Sequence, residues 1–136
     1  RFDAFKLVDA CLAGEAARGL RILRALRAEG EAVPALMGPI VQSLLQLASL
    51  SAEAARGGDL RKAMTAQRIW DSKQAQFKRA LDRHDMARWD GFAVEAGSID
   101  RISKGRADGD AWIALERLLA AIAQPRACRL LATGIA

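Results

Sequence analysis

The stretch VPALMGPIVQSLLQLASL, residues 33–50, decides the fold, and it contains no charged residue. Apolar residues recur on nearly every side of a helix drawn through it, which predicts a buried central helix from Pro34 to Leu50. Pro34 suits a first helical turn, whereas Pro39 removes a backbone hydrogen bond from a helix that has already begun. We therefore expect either a kink at this point or a helix that starts near Gly38.

A membrane span is the alternative interpretation of residues 33–50. The apolar run is interrupted by prolines, a glycine, glutamines and serines, and no cluster of basic residues flanks it. We therefore expect the helix to lie inside a protein core, without a membrane, in a cytoplasmic protein.

The segments on both sides of the central helix also show helical spacing of their apolar residues. Aspartates precede several of them as candidate N-caps, and glycines follow several of them. The other predicted helices span Phe2–Leu12, Glu15–Ala28, Asp59–Met64, Ser72–Leu81, a long segment capped by Asp85, and a last one from Asp110 to Pro125. The apolar side of the first contains Phe2, Phe5, Val8 and Leu12, and that of the long segment contains Met86, Trp89, Phe92 or Ala93, Ala96 and Ile99. The sequence therefore predicts an all-α, single-domain bundle of about six or seven helices.

Length and composition fit one folded domain of 136 residues. We expect the helical domain to span residues 1–125 and residues 126–136 to form a loosely held tail. Because the chain begins without methionine in the middle of a helical pattern, we expect a fragment of a longer chain.

A net charge of +5 permits a polyanionic partner without requiring one. Cys11 and Cys128 indicate two reduced thiols, since neither belongs to a C-x-x-C motif or to a cluster of metal ligands.

Catalytic and cofactor-binding patterns are scarce in the sequence. His84 and Asp85 form its only adjacent imidazole and carboxylate, and a helix start there explains Asp85 as an N-cap and His84 as an exposed loop residue. The triplet at residues 108–110 resembles a calcium loop, but Leu119 stands where the bidentate glutamate should be. No glycine-rich phosphate-binding motif occurs. We expect no enzymatic activity, metal or cofactor in this chain.

Arginines and tryptophans are the candidate contact residues. Four arginines recur at every third position of the second predicted helix: Arg18, Arg21, Arg24 and Arg27. They sweep around half of the helix, so a solvated face and a subunit contact both explain them. Trp89 and Trp112 lie within apolar faces and are expected to be core or interface anchors. Trp70, at a helix junction, either packs inward, which we favour, or stays free to stack on a base.

The order and spacing of several segments over about residues 4–123 resemble those of a known family. The matching segments are Phe5–Ala10, Gly14, Ala17–Gly30, Pro34, Leu44–Leu45, Arg68–Trp70, Phe77–Leu81, Met86–Lys104 and Trp112–Glu116. Together they resemble the C-terminal collar domain of the delta subunit of the bacterial DNA polymerase III clamp loader. The resemblance implies a clamp-loader collar fold.

The resemblance also implies a set of partners. Such a collar joins the delta subunit to the gamma/tau and delta prime subunits in a ring, and domains of the AAA+ class precede it. The first of these preceding domains opens the sliding clamp, so contact with the clamp would run through a domain missing from these residues. The delta subunit does not hydrolyse ATP, and polymerisation belongs to another subunit of the holoenzyme. Primed DNA would be contacted indirectly or weakly.

Residue roles implied by the resemblance concern one corner of the domain. Trp70 matches a tryptophan position that in relatives can face the chamber holding primed DNA, which makes Trp70 and neighbouring Arg68 candidate nucleic-acid contacts. A second aromatic residue expected near Ala107 is missing.

The candidate subunit-interface residues are Arg18, Arg21, Arg24, Trp89 and Trp112. An autonomous helical nucleic-acid-binding module is the alternative function, and a small helical enzyme built on His84 is a third.

Overall fold

The computed structural model describes residues 2–131, and every regular element in that range is helical. The elements in chain order are α1 (Ala4–Leu12), α2 (Ala16–Ala28), α3 (Val33–Ala55), α4 (Leu60–Ala66), α5 (Asp71–Arg83), α6 (Met86–Ser103), α7 (Ala111–Ala123) and a 3-10 helix (Pro125–Leu130). This confirms the predicted all-α bundle of about six or seven helices.

Helix α3 begins at Val33, has Pro34 in its first turn and continues through Pro39 to Ala55. The predicted late start near Gly38 is therefore wrong. A residue before proline is pushed away from helical backbone by a clash between its Cβ and the proline ring, and Gly38 has no Cβ. The missing N–H of Pro39 removes one hydrogen bond without ending the helix.

One side of α3 forms the centre of the core, while its other side is open to solvent. Leu36, Ile40, Leu44 and Leu47 are at most 3% exposed, whereas Leu45 is 57% exposed. The expectation of burial on nearly every side is wrong, because the helices that pack against α3, chiefly α6 with α1, α4 and α5, leave one side uncovered.

Helix α3 is also the one helix in the described range that is long and apolar enough to cross a membrane. Its buried side packs against helices of the same domain. Core helices of globular proteins have the same length and composition, so the bundle accounts for this segment.

Aspartates cap four of the helices. The carboxylates of Asp3, Asp59, Asp85 and Asp110 accept hydrogen bonds of 2.9–3.2 Å from backbone N–H groups in the first turns of α1, α4, α6 and α7. These N–H groups have no partner inside the helix, so each cap stabilises its helix by about 1 kcal/mol. The three predicted caps at Asp59, Asp85 and Asp110 are confirmed, and Asp3 makes α1 start at Ala4 instead of Phe2.

Three apolar residues expected to face the core are exposed: Phe2 by 39%, Phe5 by 66% and Met86 by 43%. Phe2 precedes α1, Phe5 lies in its first turn, and Met86 opens α6 ahead of the buried row that begins at Trp89. All three therefore lie at helix ends, where fewer neighbouring helices are available to cover a side chain.

The chain continues to pack beyond Pro125. Residues 125–130 form the 3-10 helix against α7, and Cys128 and Leu131 belong to the core, at 1% and 6% exposure. The expectation of a loosely held tail is therefore wrong for residues 126–131, because Pro125 ends α7 and the chain turns back along it. The remainder of the predicted tail, residues 132–136, lies outside the described residues.

Candidate subunit interface and nucleic-acid contact

His84 is a buried residue, contrary to the expected exposed loop. It is 5% exposed, its Nε2 lies 2.9 Å from the Ile122 carbonyl oxygen, and its ring meets Trp89 and Phe92 edge-on at 5.2 and 4.8 Å. Burial lowers its pKa, against a smaller opposing effect of the hydrogen bond to Ile122. The carboxylate of Asp85 is turned to the backbone N–H of Arg88, so it does not orient the imidazole.

Other reactive groups are separated or buried. Within residues 2–131, no three His, Cys, Asp or Glu side chains gather closely enough to hold a metal ion. Cys11 and Cys128 are free and buried, and burial raises the pKa of the Cys11 thiol to about 12, with a smaller opposing effect of Arg83. Asp110, from the triplet that resembles a calcium loop, caps α7. Burial of the two cysteines and helix capping by Asp110 therefore give these residues structural roles.

Two arginines of α2, Arg24 and Arg27, join this helix to α7 within the domain. Arg24 forms an ion pair with Glu116 of α7 at 3.6 Å, and the Arg27 guanidinium lies 5.1 Å from the centre of the Trp112 ring. Arg18 pairs with Glu15 at 3.7 Å. Arg24, Arg27 and Arg21 nevertheless remain exposed, which leaves them accessible to a neighbouring molecule.

The two tryptophans proposed as interface residues differ in burial. Trp89 is 0% exposed and contacts Phe92 at 5.3 Å in the middle of the core, so it offers no surface to a subunit. The expectation of a core anchor is confirmed for Trp89 and that of an interface residue is wrong, because α6 turns this position toward the other helices. Trp112 is only partly buried beneath Arg27. The structure thus brings Arg24, Arg27 and Trp112 together on the α2–α7 surface.

Trp70 projects from the corner between α4 and α5. It is 77% exposed, so the favoured inward packing is wrong. The preceding residue, Ile69, is buried instead, and its carbonyl accepts a 3.1 Å hydrogen bond from Gln74 Nε2. Trp70 is the N-cap residue of α5, with extended backbone, and the chain there turns Ile69 inward and the indole of Trp70 outward.

Arg68, beside Trp70, has an unusual backbone. Its φ of 60° is the only positive value at a non-glycine residue within residues 2–131. Four other helices end with a glycine in this conformation, at Gly14, Gly30, Gly57 and Gly105. The Arg68 N–H donates to the Thr65 carbonyl at 3.0 Å, which closes the end of α4. An arginine at a position that favours glycine costs about 1–2 kcal/mol. Its side chain is exposed, two residues before the exposed Trp70.

The exposed side of α3 is a surface that the sequence interpretation missed. Five residues at alternating three- and four-residue steps form what we call the outer face of α3: Ala35, Gly38, Gln42, Leu45 and Ser49. None is charged, although 27% of the chain is charged. The absence of charged residues is visible in the sequence, but by itself it predicts burial inside the domain. An uncharged helix face that is exposed in an isolated domain is typical of a contact with another protein.

Comparison with known protein families agrees with these features. The family described as "Processivity clamp loader gamma complex DNA pol III C-term" matches residues 4–124. The chain belongs to this family. No curated protein matches it in a sequence search. The family match confirms the resemblance to a clamp-loader C-terminal domain, and the matched residues end one residue after α7.

Membership of the clamp-loader C-terminal domain family indicates partners among the subunits of the clamp-loader complex. A place in the DNA-replication clamp loader also implies a cytoplasmic location. The site residues divide into three surfaces: the outer face of α3, the α2–α7 surface with Arg24, Arg27 and Trp112, and the corner formed by Arg68 and Trp70.

Proposed function

We propose that this chain is the collar domain of the delta subunit of the DNA polymerase III clamp loader. It assembles with the gamma/tau and delta prime subunits, and it has no catalytic activity of its own. The sliding clamp is then contacted by other domains of the full-length protein. The family match supports this proposal, together with the resemblance of residues 4–123 to the delta collar.

The observation that carries the proposal is the exposed and uncharged outer face of α3, on which Leu45 is 57% exposed. Burying apolar surface contributes about 25 cal/mol per Å², so an exposed leucine on a helix of this length is a source of binding free energy. Assembly domains retain such surfaces because a neighbouring subunit covers them.

Co-purification of the full-length protein with the gamma/tau and delta prime subunits tests the proposal. We expect one stoichiometric complex by size-exclusion chromatography with light scattering, and no stable complex when residues 1–136 are deleted from the full-length protein. If the full-length protein fails to join the other subunits, the collar assignment is wrong. If the protein that lacks residues 1–136 joins these subunits equally well, assembly depends on another domain.

A second function, contact with primed DNA, is favoured by the 77% exposure of Trp70 and by the exposure of Arg68, two residues before it. An exposed indole offers a stacking surface worth about 1–3 kcal/mol per base, and the guanidinium supplies a charge for phosphate. In the assembled complex, Trp70→Ala should weaken binding of primed DNA, whereas Ile113→Ala, a 46% exposed residue of α7, should not. Equal affinities of the two variants would refute the contact.

The autonomous nucleic-acid binder is disfavoured by the placement of charge. Such a module needs a continuous basic face, but six cations of the described residues are paired with carboxylates: Arg18, Arg24, Arg56, Lys73, Lys78 and Lys104. Their local field is therefore partly neutralised. A steep loss of DNA affinity with added salt, measured on the full-length protein without its partner subunits, would restore this alternative.

A further inference from the structure

The outer face of α3 runs along most of the helix. Its five residues lie opposite the buried row that contains Leu36, Ile40, Leu44 and Leu47. From Ala35 to Ser49 the helix rises about 21 Å, at 1.5 Å per residue. A second helix packed along α3 over about four turns would make a contact of this length.

Charge distinguishes this face from the other long helices. Exposed positions of α2 include Arg21 and Arg24, those of α6 include Asp90 and Arg101, and those of α7 include Arg117. The outer face of α3 carries no charge, so it has no group that would attract phosphates or an acidic peptide. Its chemistry matches an uncharged, partly apolar helix face, since the centres of protein interfaces are depleted in charged residues.

A groove beside the outer face of α3 provides a second contact element. The groove has a volume of about 170 Å³ between α1, α3 and α5, and its lining includes Phe5, Pro39 and Gln42. Phe5 lies at the edge of this groove and is 66% exposed. Two charged residues line it, Asp9 and Lys73, and they form an ion pair at 2.6 Å, so a covering side chain would not bury either charge without its partner.

We propose that the outer face of α3 and the adjoining groove bind a helix of a neighbouring clamp-loader subunit. This inference rests on the proposed function, which supplies the class of partner. Ala35 and Gly38 present a methyl group and no side chain, which allows a second helix to approach closely, and Leu45 is the central apolar anchor. The Ser49 hydroxyl accepts a hydrogen bond of 3.1 Å from Gln67 at the end of α4. Phe5 extends the contact beyond α3 onto α1.

Charge insertion in the full-length protein tests the proposed face. Leu45→Lys and Ser49→Lys place a charge on it, whereas Ala55→Lys adds the same charge to the same helix at an exposed position outside it. All three positions are exposed, so the variants should fold, which circular dichroism and the melting temperature check. In titrations with the gamma/tau and delta prime subunits, we expect at least a tenfold loss of affinity for Leu45→Lys and Ser49→Lys, and less than a threefold change for Ala55→Lys.

Each outcome separates the proposed face from the proposed function. If the unmodified protein assembles and Leu45→Lys assembles within threefold of it, the inference about α3 is wrong and the collar function stands. If all three lysine variants weaken assembly equally, the effect is not specific to the outer face of α3, and the inference is again wrong. If the unmodified protein does not assemble, the proposed function fails and the inference fails with it. If it self-associates through Leu45 instead, the occupant is a second copy and the proposed neighbour is wrong.

Discussion

Replacing Gly97 by alanine should stabilise this domain, because the bundle places no other group where the new methyl would lie. Gly97 is in the interior of α6, and a Cβ there would meet nothing within 4 Å. In a helix interior, glycine is about 1 kcal/mol less favourable than alanine, since it loses more backbone entropy on folding. The whole propensity gain should therefore appear in the free energy of unfolding.

The corresponding change in melting temperature follows from the size of the chain. An unfolding entropy of about 2.1 cal/mol/K per residue gives about 0.3 kcal/mol/K for 136 residues. A gain of about 1 kcal/mol then raises the melting temperature by about 3 °C. Thermal and urea denaturation followed by circular dichroism measure both quantities.

Two further glycines provide matched controls. Gly19 is also helical, but a Cβ there would lie 3.0 Å from the Sγ of Cys11, which is 2% exposed and has little room to move. Gly57 has open space around it and a φ of 78°, so alanine would be strained by its backbone alone. We expect no gain or a loss for Gly19→Ala, and a loss of about 1–2 kcal/mol for Gly57→Ala.

An unchanged or lower melting temperature for Gly97→Ala would contradict the expected gain. Equal stabilisation by Gly19→Ala and Gly97→Ala would also contradict it, because the difference between these two helical sites is the contact with Cys11.

Three other substitutions test separate parts of the structure. His84 should make the domain acid-sensitive, because burial lowers its folded pKa: as the pH falls below about 6.5, the unfolded chain binds the proton first and the free energy of unfolding decreases. Denaturation at several pH values should show a smaller decrease for His84→Phe, and an unchanged pH dependence would contradict this account. Trp89→Ala should lower the urea-derived free energy of unfolding by about 3–5 kcal/mol, since the ring is 0% exposed; a loss below about 1 kcal/mol would disprove its central position. Asp110→Ala should cost about 1 kcal/mol in the same assay while Asp110→Asn costs much less, because asparagine also caps helices, and equal losses would argue against capping.

Much of the secondary structure was predictable because its causes are local. Asp59, Asp85 and Asp110 each meet a backbone N–H no more than three residues away. The start of α3 was harder to predict, because Pro39 argued for a break and Gly38 removed the clash that makes such breaks common. The order and spacing of the segments were also sufficient to predict the family, which the match over residues 4–124 confirms.

The candidate surfaces were less predictable, because their accessibility depends on distant neighbours. Arg24 and Arg27 were identified from their spacing, but their partners Glu116 and Trp112 come from α7, far along the chain. Trp70 has an apolar ring that would fit a core as well as a surface. The direction of its side chain depends on the anchoring of Ile69, which a residue pattern does not show.

By itself, the sequence determined that this protein is a helical bundle with aspartate caps and that it belongs to the clamp-loader C-terminal domain family. These features follow from interactions within a few residues and from the order of segments along the chain. Tertiary structure alone decided that His84 is buried, that Trp70 is exposed and that α3 has an open side. An uncharged helix can be covered by its own domain or by another subunit, and only the positions of the surrounding helices distinguish these two cases.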